Sequence, residues 1–288
     1  MYFFRGPNYG DDLNEYLLPK VFPNFFDEDP SELFLGIGSI LYDYHPKQVT
    51  KIVFGAGFGK YTAAPVIDSS WKIYCVRGPK TAEALGISKT LVAGDSAILI
   101  KKFRPTERVL RHKFSFIPHV GSLKTGHWEQ LAGDIGINFI DPRWSVEKVL
   151  SEIESSEVII TEAMHGAITA DALRIPWVAL NPVDPVHHFK WTDWTESLDI
   201  KLRPQPLAPS SIHEQLIATM GFGYSRWPRR GIRMISADKL LDAPFKASAR
   251  NSLRKALLAE PQLSSDSALD RVLDKLETAA QNIRRDYP

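Results

Sequence analysis

The sequence predicts an α/β protein built on parallel sheets. Three observations carry this. Short apolar, β-branched runs alternate with segments of helical periodicity. Glycine or proline follows each early run closely, in GIGS, GAGFGK and RGPK. The alternation starts afresh after a charged segment, 101–111, which reads as a linker. Strands that alternate with helices imply a parallel sheet.

In chain order, 2–4 is the first expected strand. Residues 8–12 (NYGDD) form a turn into a helix over 13–21, whose acidic start suits the helix dipole. Strands follow at 33–37, 51–55 and 73–76, and a helix at 79–85 that Gly86 ends. Gly94-Asp95-Ser96 is a turn before the apolar run 97–100. The second series has strands at 114–118 and 138–140, and helices around 128–131 and over 145–155. Its densest part is 158–191, VIITEAMHGAITADALRIPWVALNPVDPVHHFKW. This reads as strand 158–161, tight turn 162–165, helix 166–173 stopped by Pro176, strand 177–180, then a loop rich in polar and aromatic groups. Residues 201–212 look like a Pro/Ser-rich loop, and 236–259 and 265–285 like helices separated by Pro261. The expected units are 1–108, 109–240 and a helical stretch, 241–288, packing back across them.

The chain has 288 residues, of which 44% are hydrophobic and 24% charged, the composition of a water-soluble globular protein. With one cysteine, Cys75, no internal disulfide forms, so a reducing, cytoplasmic setting is expected. No basic region followed by an apolar run marks a signal peptide, and no apolar stretch nears the ~20 residues of a membrane span. No spacing fits a zinc or calcium site. The net charge of +1 by itself decides nothing about nucleic acid. Basic residues cluster only late, at Arg226, Arg229, Arg230 and Arg233 and then at Lys246, Arg250, Arg254 and Lys255. That pattern suits a solvated face, or a patch held against an anionic membrane surface; no nucleic-acid partner is expected.

His165 falls at the carboxyl end of a strand and the amino end of a helix. Ligands bind at such crevices in open α/β sheets, and the free N–H groups of a helix start favour an anion. A histidine there can give a proton beside a bound carboxylate or phosphate, or simply cap the helix. Gly166 allows a ligand or another backbone to come close. Glu162 either orients His165 or is a surface acid. Arg77, in CVRGP, either grips a carboxylate or phosphate bidentately or is an ordinary loop arginine. GIGSI, with Gly38 and Ser39, and GAGFGK can present N–H groups to a phosphate, but neither ends as a P-loop does. Asn8, Asp11 and Asp12 serve as helix caps or in acceptor recognition and acid/base work. His187, His188, Lys190, Trp191 and Trp194 fall within one short segment. The adjacent histidines point apart, so they share no metal. Lys190 can neutralise a phosphate, and Trp191 or Trp194 is a platform for a sugar ring or a core residue.

Together these pieces resemble the polysaccharide pyruvyl transferase family, especially its short bacterial exopolysaccharide ketal-pyruvate transferases. The matching blocks, in order, are NYGDDLNEYLLPKVF, GIGSI, IVFGAGFG, YCVRGPKTAEALGI, AGDSAIL and VIITEAMHGAITADALRIPWVAL with HHFKW after it. The C-terminal third carries no matching motif. The resemblance implies two Rossmann-like parallel-sheet domains facing a cleft, similar to GT-B glycosyltransferases. It implies phosphoenolpyruvate as donor, a lipid-linked oligosaccharide at the inner membrane face as acceptor, and neither cofactor nor metal. Arg77 matches the family's V-R-[GD] motif and His165 its [ML]-H-[GA] motif, and Lys190 falls where a downstream basic residue is expected. On this reading His165 is the general acid and Asp11, Asp12 or Glu162 the base. Arg77, Lys190, Gly166, Gly38 and Ser39 bind the donor, and Asn8, His188, Trp191 and Trp194 the acceptor. One departure stands out: many relatives carry arginine two residues before the histidine, where this chain has Ala163, so either another cation such as Lys190 binds the donor or this subgroup holds phosphate differently. The alternatives are a nucleotide-sugar glycosyltransferase of the same architecture and a non-catalytic, glycan-binding member of an assembly complex.

Overall fold

Two parallel sheets carry the fold in the computed structural model, which describes residues 1–104, 107–220 and 242–288. Helix α1 (Tyr9–Val21) precedes the first sheet, whose strands β1 (Glu32–Leu35), β2 (Thr50–Phe54) and β3 (Trp71–Cys75) lie side by side in sequence order. A helix, α2 (Pro79–Leu85), follows, then a 3-10 helix, Ser96–Phe103. The second sheet, ordered β5-β4-β6-β7, is built from β4 (His112–Ile117), β5 (Asn138–Phe139), β6 (Ser156–Thr161) and β7 (Trp177–Ala179). Between these strands lie α3 (Val120–Leu123), α4 (Trp128–Asp134), α5 (Val146–Glu154) and α6 (Met164–Ala172); α7 (His188–Ser197), α8 (Ile212–Met220), α9 (Ala243–Ala256) and α10 (Asp266–Asp286) come after them.

The central strands β2 and β6 end in fully buried apolar runs, so both faces of each sheet need cover. Helix α5 supplies it with Val146, Val149, Leu150 and Ile153, spaced to one face, and starts where Ser145 accepts the Lys148 N–H. Helix α10 buries a longer stripe, from Ala268 and Leu269 through Leu276 to Ile283, and packs on β2, β3 and the 3-10 helix of the first half. Helix α1 leans on α5 and α6 of the second half. One apolar cluster therefore runs through both sheets, joining Leu13, Phe54, Ile98, Ile159, Ala167 and Leu276.

The expectations at 2–4 and after β7 are corrected, and the run 97–100 and the segment 101–111 take a definite form. Residues 2–4 form no strand: the Tyr2 N–H donates to the Phe34 carbonyl at 2.9 Å, without a ladder. The apolar run 97–100 is a buried 3-10 helix, started by Asp95 Oδ1 accepting the Ala97 N–H. The expected linker is held at Arg104, which pairs with Glu147 (2.8 Å) and Glu154 (2.6 Å). The loop after β7 is mostly helix. Asp184 caps a 3-10 turn at Val186, and α7 follows because Trp191, Trp194 and Thr195 share one face that must be buried. Arg226, Arg229, Arg230 and Arg233 lie outside the described residues. Among the described residues, no helix is long and apolar enough to cross a membrane.

Candidate active site

The segments that follow the carboxyl ends of strands from both sheets meet. Tyr61, after β2, bonds through its hydroxyl to His187 Nδ1, after β7, at 2.9 Å. Arg77, after β3, pairs with Asp193 of α7 at 2.9 Å. A Cβ at Gly10 would lie 2.1 Å from His165 Nδ1, so the start of α1 fits against this imidazole only as glycine. Carboxyl strand ends are where parallel sheets leave room for ligands.

His165 sits in the first turn of α6, its side chain 15% exposed. Nε2 is buried without a hydrogen-bond partner and lies 3.8 Å from Oδ2 of Asp95, which is fully buried and likewise unpartnered. Such atoms are rare in native interiors. The pair stands a small adjustment from an Asp–His hydrogen bond, the device that sets the tautomer and orientation of an imidazole. Asp11 approaches from α1: burial raises its carboxyl above the usual range, while His165, the Asn8 amide and Lys190 oppose the rise. Gly38, at φ +118, keeps its backbone beside Asp11 Oδ1.

Lys190 reaches the same region from the first turn of α7. Burial, and then the charge of Arg77, push its ammonium down to about 8, against the pull of Asp11, Glu162 and Asp184. The rings of His119 and His187 face each other with centroids 4.2 Å apart. Burial first, and Lys190 next, hold both imidazoles well below the usual histidine range. The junction thus offers an oriented imidazole, a carboxyl with reduced acidity and a cation that titrates near neutrality. These are the parts of general acid/base chemistry on an anionic substrate.

Comparison with known proteins decides the family. The model of the polysaccharide pyruvyl transferase family matches residues 3–185. The chain belongs to the polysaccharide pyruvyl transferase family. The succinoglycan biosynthesis protein ExoV of Rhizobium meliloti (strain 1021) is 35% identical over 97% of this chain and 96% of its own length. No solved structure matches. The protein is an enzyme of exopolysaccharide synthesis that transfers pyruvate.

Several residues singled out in the transferase's sequence stand elsewhere than expected. Arg77 is fully buried, and each guanidinium nitrogen donates within the protein: Nε to Asp193, Nη1 to Ser39 (2.7 Å) and Nη2 to the Phe58 carbonyl (2.9 Å). In this geometry it is no donor clamp; it fixes Ser39, the 55–60 loop and α7. Glu162 is 1% exposed and accepts from the His119 N–H, the Ser122 hydroxyl and the Val183 N–H. It is a strut between two loops, not a free base. Gly166 admits no ligand: a Cβ there would lie 2.8 Å from Thr161 Oγ1 and 3.0 Å from Ile117, so it serves close packing of α6 on the sheet. Trp191 and Trp194, at 2% and 0% exposure, pack at a tilt against Trp177 in the core and present no face to a sugar. Asp12 accepts the Asn8 N–H at 3.3 Å, and the Asn8 side chain donates to Asp11. His188 is exposed at the start of α7.

Asp11, Gly38, His165 and Lys190 meet at the junction, where Arg77, Ser39 and Glu162 serve as framework. Asp95, His119 and Tyr61 join them unannounced. The signal for Asp95 was an acid set between the apolar runs of VAGDSAIL, and for His119 a histidine directly after the strand FSFIP. Among the described residues, no group of three or more His, Cys, Asp or Glu is placed to hold a metal ion.

Proposed function

We propose that this transferase takes pyruvate from phosphoenolpyruvate and closes it as a ketal, 4,6-linked, on a hexose of a lipid-linked exopolysaccharide unit, releasing phosphate. The junction of the two sheets is the substrate cleft of a GT-B-like arrangement. The observation that carries the reading is the meeting of His165, Asp11 and Lys190 in a chain of this family. ExoV's part in succinoglycan biosynthesis supports an exopolysaccharide acceptor.

His165 gives its proton to the vinyl CH2, which becomes the methyl group, and C2 becomes an oxocarbenium. A first sugar hydroxyl bonds to C2 and passes its proton to Asp11, whose raised affinity for protons suits a base. The C2–O bond to phosphate then breaks with its electron pair on phosphate, Lys190 offsetting the charge. A second hydroxyl bonds to C2 and gives its proton to His165, now neutral, which completes the ketal and restores the acid. Asn8 holds Asp11 toward the acceptor. The enzyme works in the cytoplasm, where the basic side of α9, with Arg254 and Lys255, meets the membrane that holds the acceptor.

The test is phosphate release from phosphoenolpyruvate with and without a lipid-linked or synthetic oligosaccharide. The expected result is acceptor-dependent release, with the acceptor gaining the mass of a pyruvate ketal. Absence of release together with thermal stabilisation by a nucleoside diphosphate would overturn the reading in favour of a glycosyltransferase.

A further inference from the structure

Arg77 is fully buried, and each of its guanidinium nitrogens is already bonded within the protein. A dianionic group therefore needs other donors. His119 lies after β4, His187 in the turn before α7, and their rings are 4.2 Å apart. Each has its Nδ1 engaged. That of His119 accepts the Gly121 N–H at 3.1 Å, so the ring proton sits on Nε2. That of His187 meets the Tyr61 hydroxyl at 2.9 Å; with the hydroxyl donating, Nε2 again carries the proton. Glu162 sets the spacing, because its carboxylate binds the backbone N–H of His119 and of Val183, gripping both loops. Lys190 couples electrostatically to both imidazoles.

We propose that His119, His187 and Lys190 form the subsite for the phosphate of the donor. The assignment rests on the enol-phosphate reading given above. Two Nε2–H donors and an ammonium supply charge-assisted bonds to a tetrahedral dianion. The subsite is tuned by its surroundings. Besides Lys190, Lys124 presses on His119 and His188 on His187, and both imidazoles are held neutral when nothing anionic is near. Arg77 opposes the charge of Lys190, while Asp11, Glu162 and Asp184 favour it. Phosphate bound at the two Nε2–H groups favours the charged form of Lys190, so binding near and above pH 8 takes up a proton and weakens as pH rises.

The test uses sulfate, whose charge does not titrate near neutrality, as probe on the full chain. Binding is measured by calorimetry from mildly acidic to mildly alkaline pH, with wild type, His187→Gln and His119→Gln/His187→Gln. The expected result is proton uptake on binding, affinity falling with pH, and a loss of about tenfold or more in the double variant. Loss of the folded far-UV signature in the double variant would leave the wild-type pH dependence and the single variant to decide. Affinity that is flat in pH and equal in wild type and His187→Gln overturns the subsite. If wild type then still releases phosphate from phosphoenolpyruvate, the donor reading survives without it. Histidine-dependent sulfate binding with no phosphoenolpyruvate turnover supports the anion site and removes the donor reading instead.

Discussion

Two charged clusters stand side by side at the junction, around Arg77 and around Lys190, and they differ in what their groups have left to offer. Each nitrogen of the Arg77 guanidinium is bonded to the protein, and Asp193 also accepts from the Thr81 N–H and hydroxyl. Its place at a strand end suggests a donor clamp, yet it acts as a rivet between α2 and α7. The cluster around Lys190 is the reverse. Its histidines are held well below the usual histidine range and its lysine is pushed down to about 8, and beside them His165 Nε2 and Asp95 Oδ2 are buried without partners. Polar groups bonded within the protein build the frame, and chemistry is available where polar groups remain uncommitted.

The largest effect that separates the two clusters is on stability. Arg77→Ala leaves the Asp193 carboxylate buried and unpaired, and such losses run to about 3–5 kcal/mol. Urea unfolding should show this as a strongly lowered midpoint. A near wild-type midpoint with a raised KM for phosphoenolpyruvate would move Arg77 into the donor site. A smaller effect is expected from Asp95→Asn. Asparagine keeps the oxygen that accepts the Ala97 N–H, so the fold is retained, while turnover falls by about tenfold as the imidazole loses its anionic partner. An unchanged kcat would show that Gly10 and the helix orient His165 unaided.

The smallest effect is on pH dependence. Lys190 is cationic below about 8, so kcat/KM for the donor should fall as pH rises through that value, and Lys190→Met should lose this limb. Stability carries the opposite sign. Below about pH 8 folded and unfolded chains both hold the lysine proton. Between there and the ordinary lysine range only the unfolded chain binds it, so this group makes stability rise with pH across that window. A Lys190→Met protein whose stability keeps the wild-type slope there would contradict the burial of the charge.

What was legible in the sequence was local. Helix α2 matches its expected bounds because Pro79 starts it and Gly86, at φ +64, ends it, both signals lying inside the segment. The strands were readable to within a residue or two from apolar runs bounded by glycine. Helix α7 was not, since what drives it is burial of Trp191 and Trp194 against Trp177 in another element. Arg77 could be found as a strand-end arginine, but its partner Asp193 is 116 positions away, and nothing near either residue states the pairing. Likewise Asp95 read as a turn residue because His165, which gives it meaning, comes from the other sheet's loops. Residue type and backbone punctuation are written locally; who satisfies whom is decided by topology.

The central claim is that His165 protonates the donor, and its most direct test is acceptor-dependent phosphate release by His165→Gln beside wild type, with unfolding midpoints measured on the same preparations. The account predicts a loss of about 10²–10⁴-fold in turnover with the midpoint nearly unchanged. Turnover close to wild type in the folded variant would contradict it.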